Sequence, residues 1–293
     1  MAVPVAVSAA VSVAIPAMAH LPHLEPADLE RRFGGLRRLY GDRDYERLRA
    51  ATVAVVGLGG VGSWTAEALA RSGVAGLVLF DLDHITESNI NRQVQASGAT
   101  LGAHKGQALL ERIADIHPGC DVRVVDAFVE PDNWPALLPV PVQALVDGCD
   151  QVRAKAALAT WALLHRVPLV CVGAAGGKRE AQRVEVADLA DVTHDPLLAS
   201  LRQRLRKEGG APRTGAMGLR CVFSRESVLA PAKAGNAGSA GGGAAASGAG
   251  NPAEITAGGL NCHGYGSTVT VTATFGMVAA GEAIRQLLAA GAR

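Results

Sequence analysis

The sequence predicts an α/β fold: a Rossmann-like, mostly parallel sheet with helices on both faces, a C-terminal extension of the sheet and a long flexible loop. Three observations predict it. Short apolar runs alternate with helical segments of 10–15 residues, the signature of βαβ units. Gly57-Leu58-Gly59-Gly60-Val61-Gly62 spells G-x-G-x-x-G at the junction of the first strand and the following helix. An acid, Asp81, stops the second strand.

The elements follow in order. Arg31 to Arg49 reads as a charged helical lead-in, and Thr52 to Gly57 as a β-rich run ending in glycine. Val61 to Ser72 has helical spacing, and Leu77 to Asp81 is the second strand. A helix over 104–116 precedes a strand over 122–125, and a short helix near 133–138 precedes a strand over 143–147. A helix over 151–165 then leads to a strand over 168–173. Arg183-Val184-Glu185-Val186 alternates as a half-exposed strand does. Asp195-Pro196 opens a helix to Lys207, with proline at the first helical position. Residues 231–250 hold 15 Gly or Ala with no periodic apolar face, the composition of a flexible loop. The last helix is expected over 267–289. Its apolar run, Ser267 to Ala280, is shorter than the ~20 residues of a membrane span, so it reads as a buried core helix.

The chain has 293 residues, 49% hydrophobic, with a formal charge of +1. That apolar content argues against a wholly disordered chain, and the balance of charge against a polybasic one. Its five cysteines (Cys120, Cys149, Cys171, Cys221 and Cys262) are odd in number and contain no C-x-x-C pair. This argues against a disulfide scaffold and a four-cysteine zinc site, and fits a reducing cytoplasm. Residues 1–25 mimic a secretory signal, but no Lys or Arg precedes Arg31. Residues 1–28 are therefore expected to be a disordered extension.

The glycine run lets a phosphate approach the backbone at a helix N-terminus. Alone it fits NAD, FAD or ATP. The residues that follow discriminate. Asp81 is placed to accept from ribose hydroxyls, and Ser88-Asn89-Ile90-Asn91-Arg92-Gln93 and His104-Lys105 come next. Hydride transfer has no use for this Arg and Lys, whereas a triphosphate does. Val146-Asp147-Gly148-Cys149-Asp150 then ends the fourth strand, at the crevice where such sheets bind ligands. A carboxylate there suits Mg²⁺ shared with phosphates. Taken singly, Arg92 and Lys105 also read as surface charges, and Asp147 as a helix cap.

As an ordered set these residues resemble the ubiquitin-activating-enzyme-like superfamily, which includes the thiamine- and molybdopterin-biosynthesis adenylating enzymes. Further motifs are similar to its bacterial tRNA threonylcarbamoyladenosine dehydratase branch: Arg32-Phe33-Gly34-Gly35, Arg38-Leu39-Tyr40-Gly41, Gly173-Ala174-Ala175-Gly176-Gly177, Cys221-Val222-Phe223-Ser224 and Thr272-Ala273-Thr274-Phe275-Gly276. The resemblance implies one ThiF-type adenylating domain over 29–290. It implies ATP and Mg²⁺ as cofactors, with a monovalent cation, K⁺ or Na⁺, as a further candidate. Gly57, Gly59, Gly60 and Gly62 would face the phosphates and Asp81 the ribose. Asn89, Arg92, Gln93, Lys105 and Asp147 would surround the nucleotide, with Asp150 as the metal-binding acid. Arg92, Lys105, Asp150 and Cys262 are the catalytic candidates. Cys262 reads equally as a thiol that forms a thioester or takes sulfur from a cysteine desulfurase relay, and as a packed cysteine.

The implied partner is tRNA carrying N6-threonylcarbamoyladenosine, with neither DNA nor a membrane span, and the implied assembly a cytoplasmic homodimer. Peripheral membrane association is left open. The first alternative is adenylation of the C-terminal carboxylate of a sulfur-carrier or ubiquitin-like protein; the missing C-x-x-C pairs weigh against it. A non-catalytic nucleotide-binding module and an NAD oxidoreductase come next. Two basic runs are candidates for RNA contact. One is Arg31, Arg32, Arg37 and Arg38; the other is six Lys or Arg over 200–221 against Glu208 alone. Arg32 or Arg38 is also a candidate to reach the triphosphate of a partner subunit.

Overall fold

The computed structural model describes residues 27–229 and 265–290. The N-terminal extension, apart from its last two residues, and the 231–250 loop lie outside the described residues. Asp28, expected to close the extension, instead caps the first helix by accepting from Arg31 N at 3.0 Å.

The chain opens with α1 (Leu29–Tyr40) and α2 (Asp42–Ala50). It then alternates β1 (Thr52–Val56), α3 (Gly62–Arg71), β2 (Gly76–Phe80), α4 (Lys105–Ile116), β3 (Asp121–Val125), β4 (Ala144–Asp147), α5 (Val152–His165) and β5 (Leu169–Val172). β6 (Val184–Asp188), α6 (Pro196–Glu208), β7 (Arg220–Ser224) and α7 (Val269–Ala290) complete it. The sheet order is β3-β2-β1-β4-β5-β7-β6; only β6 runs antiparallel among the described strands. The order reverses direction between β1 and β4, so their C-terminal ends open a crevice.

Period-2 alternation divides the core into two layers. Val53, Val55, Leu77, Leu79, Ala144 and Val146 face one way, against Leu69 of α3, Leu109 of α4 and Phe275 of α7. Ala54, Val56, Val78, Phe80 and Leu145 face the other, against Leu158 of α5 and Leu201 of α6. α7 is the buried helix that its composition predicted. Gly276 lets it lie on α3, since a Cβ there would stand 2.7 Å from Val61 O and from Trp64 Cβ. No described helix is long and apolar enough to cross a membrane.

Two expectations are corrected. The helix expected near 133–138 is a run of turns. Pro131, Pro135 and Pro139 supply no N–H, and the Asn133 side chain instead bonds Glu130 N and Phe128 O. The strand β7 had no place in the expected alternation; it pairs with β5 and β6 and forms the C-terminal extension of the sheet.

The first basic run is largely engaged within the fold. Arg32 donates to Asp115 O and Ile116 O, both at 2.7 Å, closing the C-terminus of α4. Arg37 pairs with Asp42 and Glu46.

Beside Arg32 lies His117, 1% exposed, which stacks on Phe33 and accepts from Arg49 through Nε2 at 2.8 Å. Burial, with Arg49 and Arg32 next to it, lowers its pKa from 6.5 to about 4. The folded state therefore binds fewer protons than the unfolded one between these values, and stability falls as pH falls through this window. The loss is about 3 kcal/mol by pH 4. In urea titrations at pH 7 and pH 5, His117→Gln is expected to flatten this decline; an equally steep decline would remove His117 as its source.

Candidate nucleotide site

The crevice at the ends of β1 and β4 holds a cleft of about 570 Å³. Nine of the residues expected around the nucleotide line it: Gly57, Gly59, Gly60, Asp81, Asn89, Arg92, Gln93, Lys105 and Asp150.

The glycine loop needs its glycines for different reasons. Gly57 has φ +82°, and a Cβ there would press on Cys149 N at 3.0 Å. Gly62 was expected at the phosphates. It lies instead behind the loop, where a Cβ would stand 1.7 Å from Gly57 O, so its part is to let the turn close. At Gly59 a Cβ would meet no protein atom within 4 Å, so this is the open face of the loop. α3 starts three residues on; of its first N–H groups, Ser63 N and Thr65 N donate back to Gly59 O and Val61 O at 3.1 and 3.0 Å.

Asp81 is 5% exposed and ties the loop to the second strand. One oxygen accepts from Leu58 N at 2.6 Å and the other from Asp83 N at 2.9 Å. Lys105, 6% exposed at the start of α4, donates to Asp83 at 2.7 Å and lies 3.8 Å from Asp81. The sequence shows Asp83 as the second acid of a D-x-D run, three residues past the end of β2; that it holds Lys105 appears only in the fold.

Arg92 extends over the loop. A Cβ on Gly60 would stand 3.3 Å from its Cδ, and its carbonyl is held by Trp64 Nε1 at 2.9 Å. Its guanidinium donates to Ser88 O and to Asn91 Oδ1 and meets no carboxylate among the described residues. Burial without a compensating acid presses its pKa below the usual arginine value. Asn89 caps the turn before it by accepting from Thr86 N at 3.1 Å, and buried Gln93 accepts from Gln95.

Asp147 and Asp150 part company. Asp147 has no exposed surface and does not reach the cleft, which corrects its expected place beside the nucleotide. It pairs with the equally buried Lys155 at 3.1 Å and accepts from Cys149 N and Sγ. The Asp147 carboxylate raises the Lys155 pKa against the effect of burial. The Cys149 thiol is pushed up by burial and by Asp147, so it stays protonated. Asp150, three residues on, lies in the cleft wall. No group of three or more His, Cys, Asp or Glu gathers into a metal site among the described residues. A single carboxylate is nevertheless the donor set that Mg²⁺ uses when substrate phosphates and waters complete its octahedron. Cys262 lies outside the described residues.

Of the far wall, sequence reasoning quoted Ala174 and Ala175 within the 173–177 motif but gave no residue a place in the site. Phe128 and Val129 follow β3, Ala174 and Ala175 follow β5, and Tyr265 precedes α7. All but Tyr265 sit just past strand C-termini, so the topology, once known, points to them. Lys155, the partner of Asp147, was also missed.

The model of the ThiF family matches residues 32–292. The chain is 40% identical over 269 residues to a tRNA threonylcarbamoyladenosine dehydratase of Escherichia coli, covering 90% of this chain and 96% of that one. It is 35% identical over 262 residues to the protein of that name from Haemophilus influenzae, covering 88% and 94%. Its fold is similar to the crystal structure of the E. coli tRNA N6-threonylcarbamoyladenosine dehydratase in complex with ATP. The TM-score is 0.77 at 37% identity, covering 92% of this chain and 99% of that one. The AMP complex of the same enzyme matches with a TM-score of 0.76. Glycine loop, strand order, cleft and relatives agree: this chain belongs to the ThiF family.

Proposed function

We propose that this protein is an ATP-dependent tRNA threonylcarbamoyladenosine dehydratase. The observation that carries the reading is Arg92, a half-buried cation in a cleft beside a glycine loop, without an acidic partner. Such a group is made for an anion. The nearly full-length relatives of that name, one of them crystallised with ATP, support the choice of nucleotide and substrate.

The chemistry follows from the carboxylate of N6-threonylcarbamoyladenosine at tRNA position 37. A carboxylate is a poor electrophile because oxide is its leaving group. Attack of one carboxylate oxygen on the α-phosphorus of ATP forms an acyl-adenylate and releases pyrophosphate. The neighbouring carbamoyl group then attacks the activated carbonyl, closes the ring and expels AMP. Both groups belong to one molecule, so the second step has a high effective concentration. It needs no protein nucleophile.

The residues of this chain bind and orient. The open face of the loop at Gly59, flanked by Gly57 and Gly60 in the cleft lining, receives phosphates, and Asp81 keeps its lone pairs beside the ribose. Arg92 and Lys105 stabilise the charge that grows on the α-phosphate. Lys105 already holds its position through Asp83. Asn89 and Gln93 border the same phosphates. Asp150 would hold Mg²⁺, which when bound supplies charge neutralisation across the phosphates. Asp150→Asn is expected to raise the Mg²⁺ concentration needed for pyrophosphate release by about ten-fold or more. An unchanged Mg²⁺ titration would take the metal away from Asp150.

The protein is further proposed to be cytoplasmic and a homodimer. Leu39 and Tyr40, exposed at the end of α1, supply an apolar face for a second copy. The sulfur relay stays tied to Cys262, and no observation favours the carrier-protein alternative. The deciding experiment incubates the protein with ATP, Mg²⁺ and threonylcarbamoylated tRNA and weighs the digested nucleosides. Loss of one water from the modified base is expected. An intact base, with adenylation of a carrier-protein C-terminus instead, would overturn the reading.

A further inference from the structure

The second basic run folds into a shape that the sequence did not disclose. Ala199, Arg202, Gln203, Arg206 and Lys207 of α6, with Arg213 beyond it, line a surface hollow of about 540 Å³ that contains no acid. Arg202 is aimed by Leu189 O and Val192 O at 3.0 and 2.8 Å, and Arg206 by Pro212 O at 3.3 Å. Lys207 and Arg213 are exposed. Arg204, on the same helix, is neutralised by Glu208 at 2.7 Å outside the lining. The helix thus keeps one paired arginine, Arg204, and brings three cations without a carboxylate partner among the described residues together with Arg213. Arg202 and Arg206, four residues apart, repel each other across one turn. A surface that merely kept the protein in solution would interleave acids.

The helix that carries the hollow also reaches the nucleotide site. Leu197, in the first turn of α6, lines the cleft. Asp195, the N-cap, accepts from Leu198 N and, at 2.8 Å, from Ala174 N in the cleft wall. A Cβ on Gly173 would stand 2.1 Å from Asp195 Oδ2, so the loop is packed directly on the cap. At 1.5 Å per residue, Arg202 and Arg206 stand about 7 and 13 Å along the helix from Leu197. A polynucleotide with one base in the cleft must carry its backbone over the neighbouring surface, and this is the cationic one.

We infer that the Arg202–Arg206–Lys207–Arg213 hollow binds backbone phosphates of the tRNA whose modified base enters the cleft. This rests on the proposed function and assigns it a docking surface. The contacts are to phosphate, so they set position and affinity without reading sequence.

The test is the salt dependence of tRNA binding, followed by fluorescence anisotropy with threonylcarbamoylated tRNA. Each phosphate contact in single-stranded RNA contributes about 0.7 to the slope of log K against log salt. The double variant Lys207→Ala/Arg213→Ala, which touches no internal hydrogen bond, is expected to lower that slope by about 1.4. It should weaken tRNA binding about ten-fold at physiological salt. Lys207→Arg/Arg213→Lys keeps both charges and should keep the slope. ATP binding without tRNA serves as the control for the cleft. An unchanged slope overturns the inference, as does loss of self-association in place of tRNA affinity. Loss of slope in a protein that dehydrates no base leaves the docking surface standing and refutes the proposed reaction instead.

Discussion

Arg92→Ala is expected to lower pyrophosphate release by about a thousand-fold while the fold survives. The size follows from what the guanidinium offers. It is half-buried, where a charge acts through a lower dielectric than in water, and no carboxylate competes for it. Removing one such donor from developing charge costs about 10²–10³ in rate; here a full charge goes as well. The fold survives because the side chain bonds only to Ser88 and Asn91 of its own loop. The backbone of Arg92 stays held by Trp64. Arg92→Lys should recover only part of the loss, because an ammonium cannot present a planar fork. Single-turnover measurements with thermal unfolding check both halves. Wild-type rates in Arg92→Ala would remove this residue from the phosphate site.

Asp147→Ala has the largest expected effect on stability, a loss of about 3–5 kcal/mol. It strands the Lys155 ammonium in a site with no exposed surface. The carbonyls of Val172 and Asp147, at 2.7 and 3.3 Å, still accept from it, but no negative charge is left. Breaking one side of a buried pair costs more than replacing both. Asp147→Ala/Lys155→Met should therefore recover most of the loss. Urea unfolding of the two variants decides the matter. A single variant within about 1 kcal/mol of the parent, or a double variant no better than the single, would show that the pair is not the anchor. Asp147 also holds the Cys149 amide, so the loop that carries Asp150 should loosen with it.

Much of the frame was legible because local chemistry reports it. Short apolar runs marked six of the seven strands within a residue or two: β1, β2, β4 and β5 by near-continuous burial, β3 and β6 by alternation. β7 was the exception, as Arg220 to Ser224 follows a turn-rich stretch with no helix to announce it. The glycine loop was legible from its motif, and at Gly57, with φ +82° and Cys149 N close by, glycine is required. Gly62 shows where such reading stops. The motif names it, but its role is to fit against Gly57 O, a contact that appears only once the loop is folded. The 133–138 turns misled because apolar residues around Pro135 imitate a helical face.

Two pairs of like residues show how the sequence and the tertiary structure divide the work. Residue order alone supplies the chemical inventory: a glycine loop suited to phosphate, an arginine and a lysine after it, acids at strand ends, and two basic runs. It did not determine which members face the cleft. Asp147 alternates with Leu145, so its side chain enters the layer packed by α5, where Lys155 neutralises it. Asp150 has left the strand and is free of that alternation. Likewise, Arg32 and Arg37 of α1 meet helix-end carbonyls and acids, whereas Arg202 and Arg206 of α6 gather in a hollow that no acid lines. Residue type and spacing set what a side chain can do. Its direction and neighbours come from the packing of elements distant in sequence, which no local pattern records.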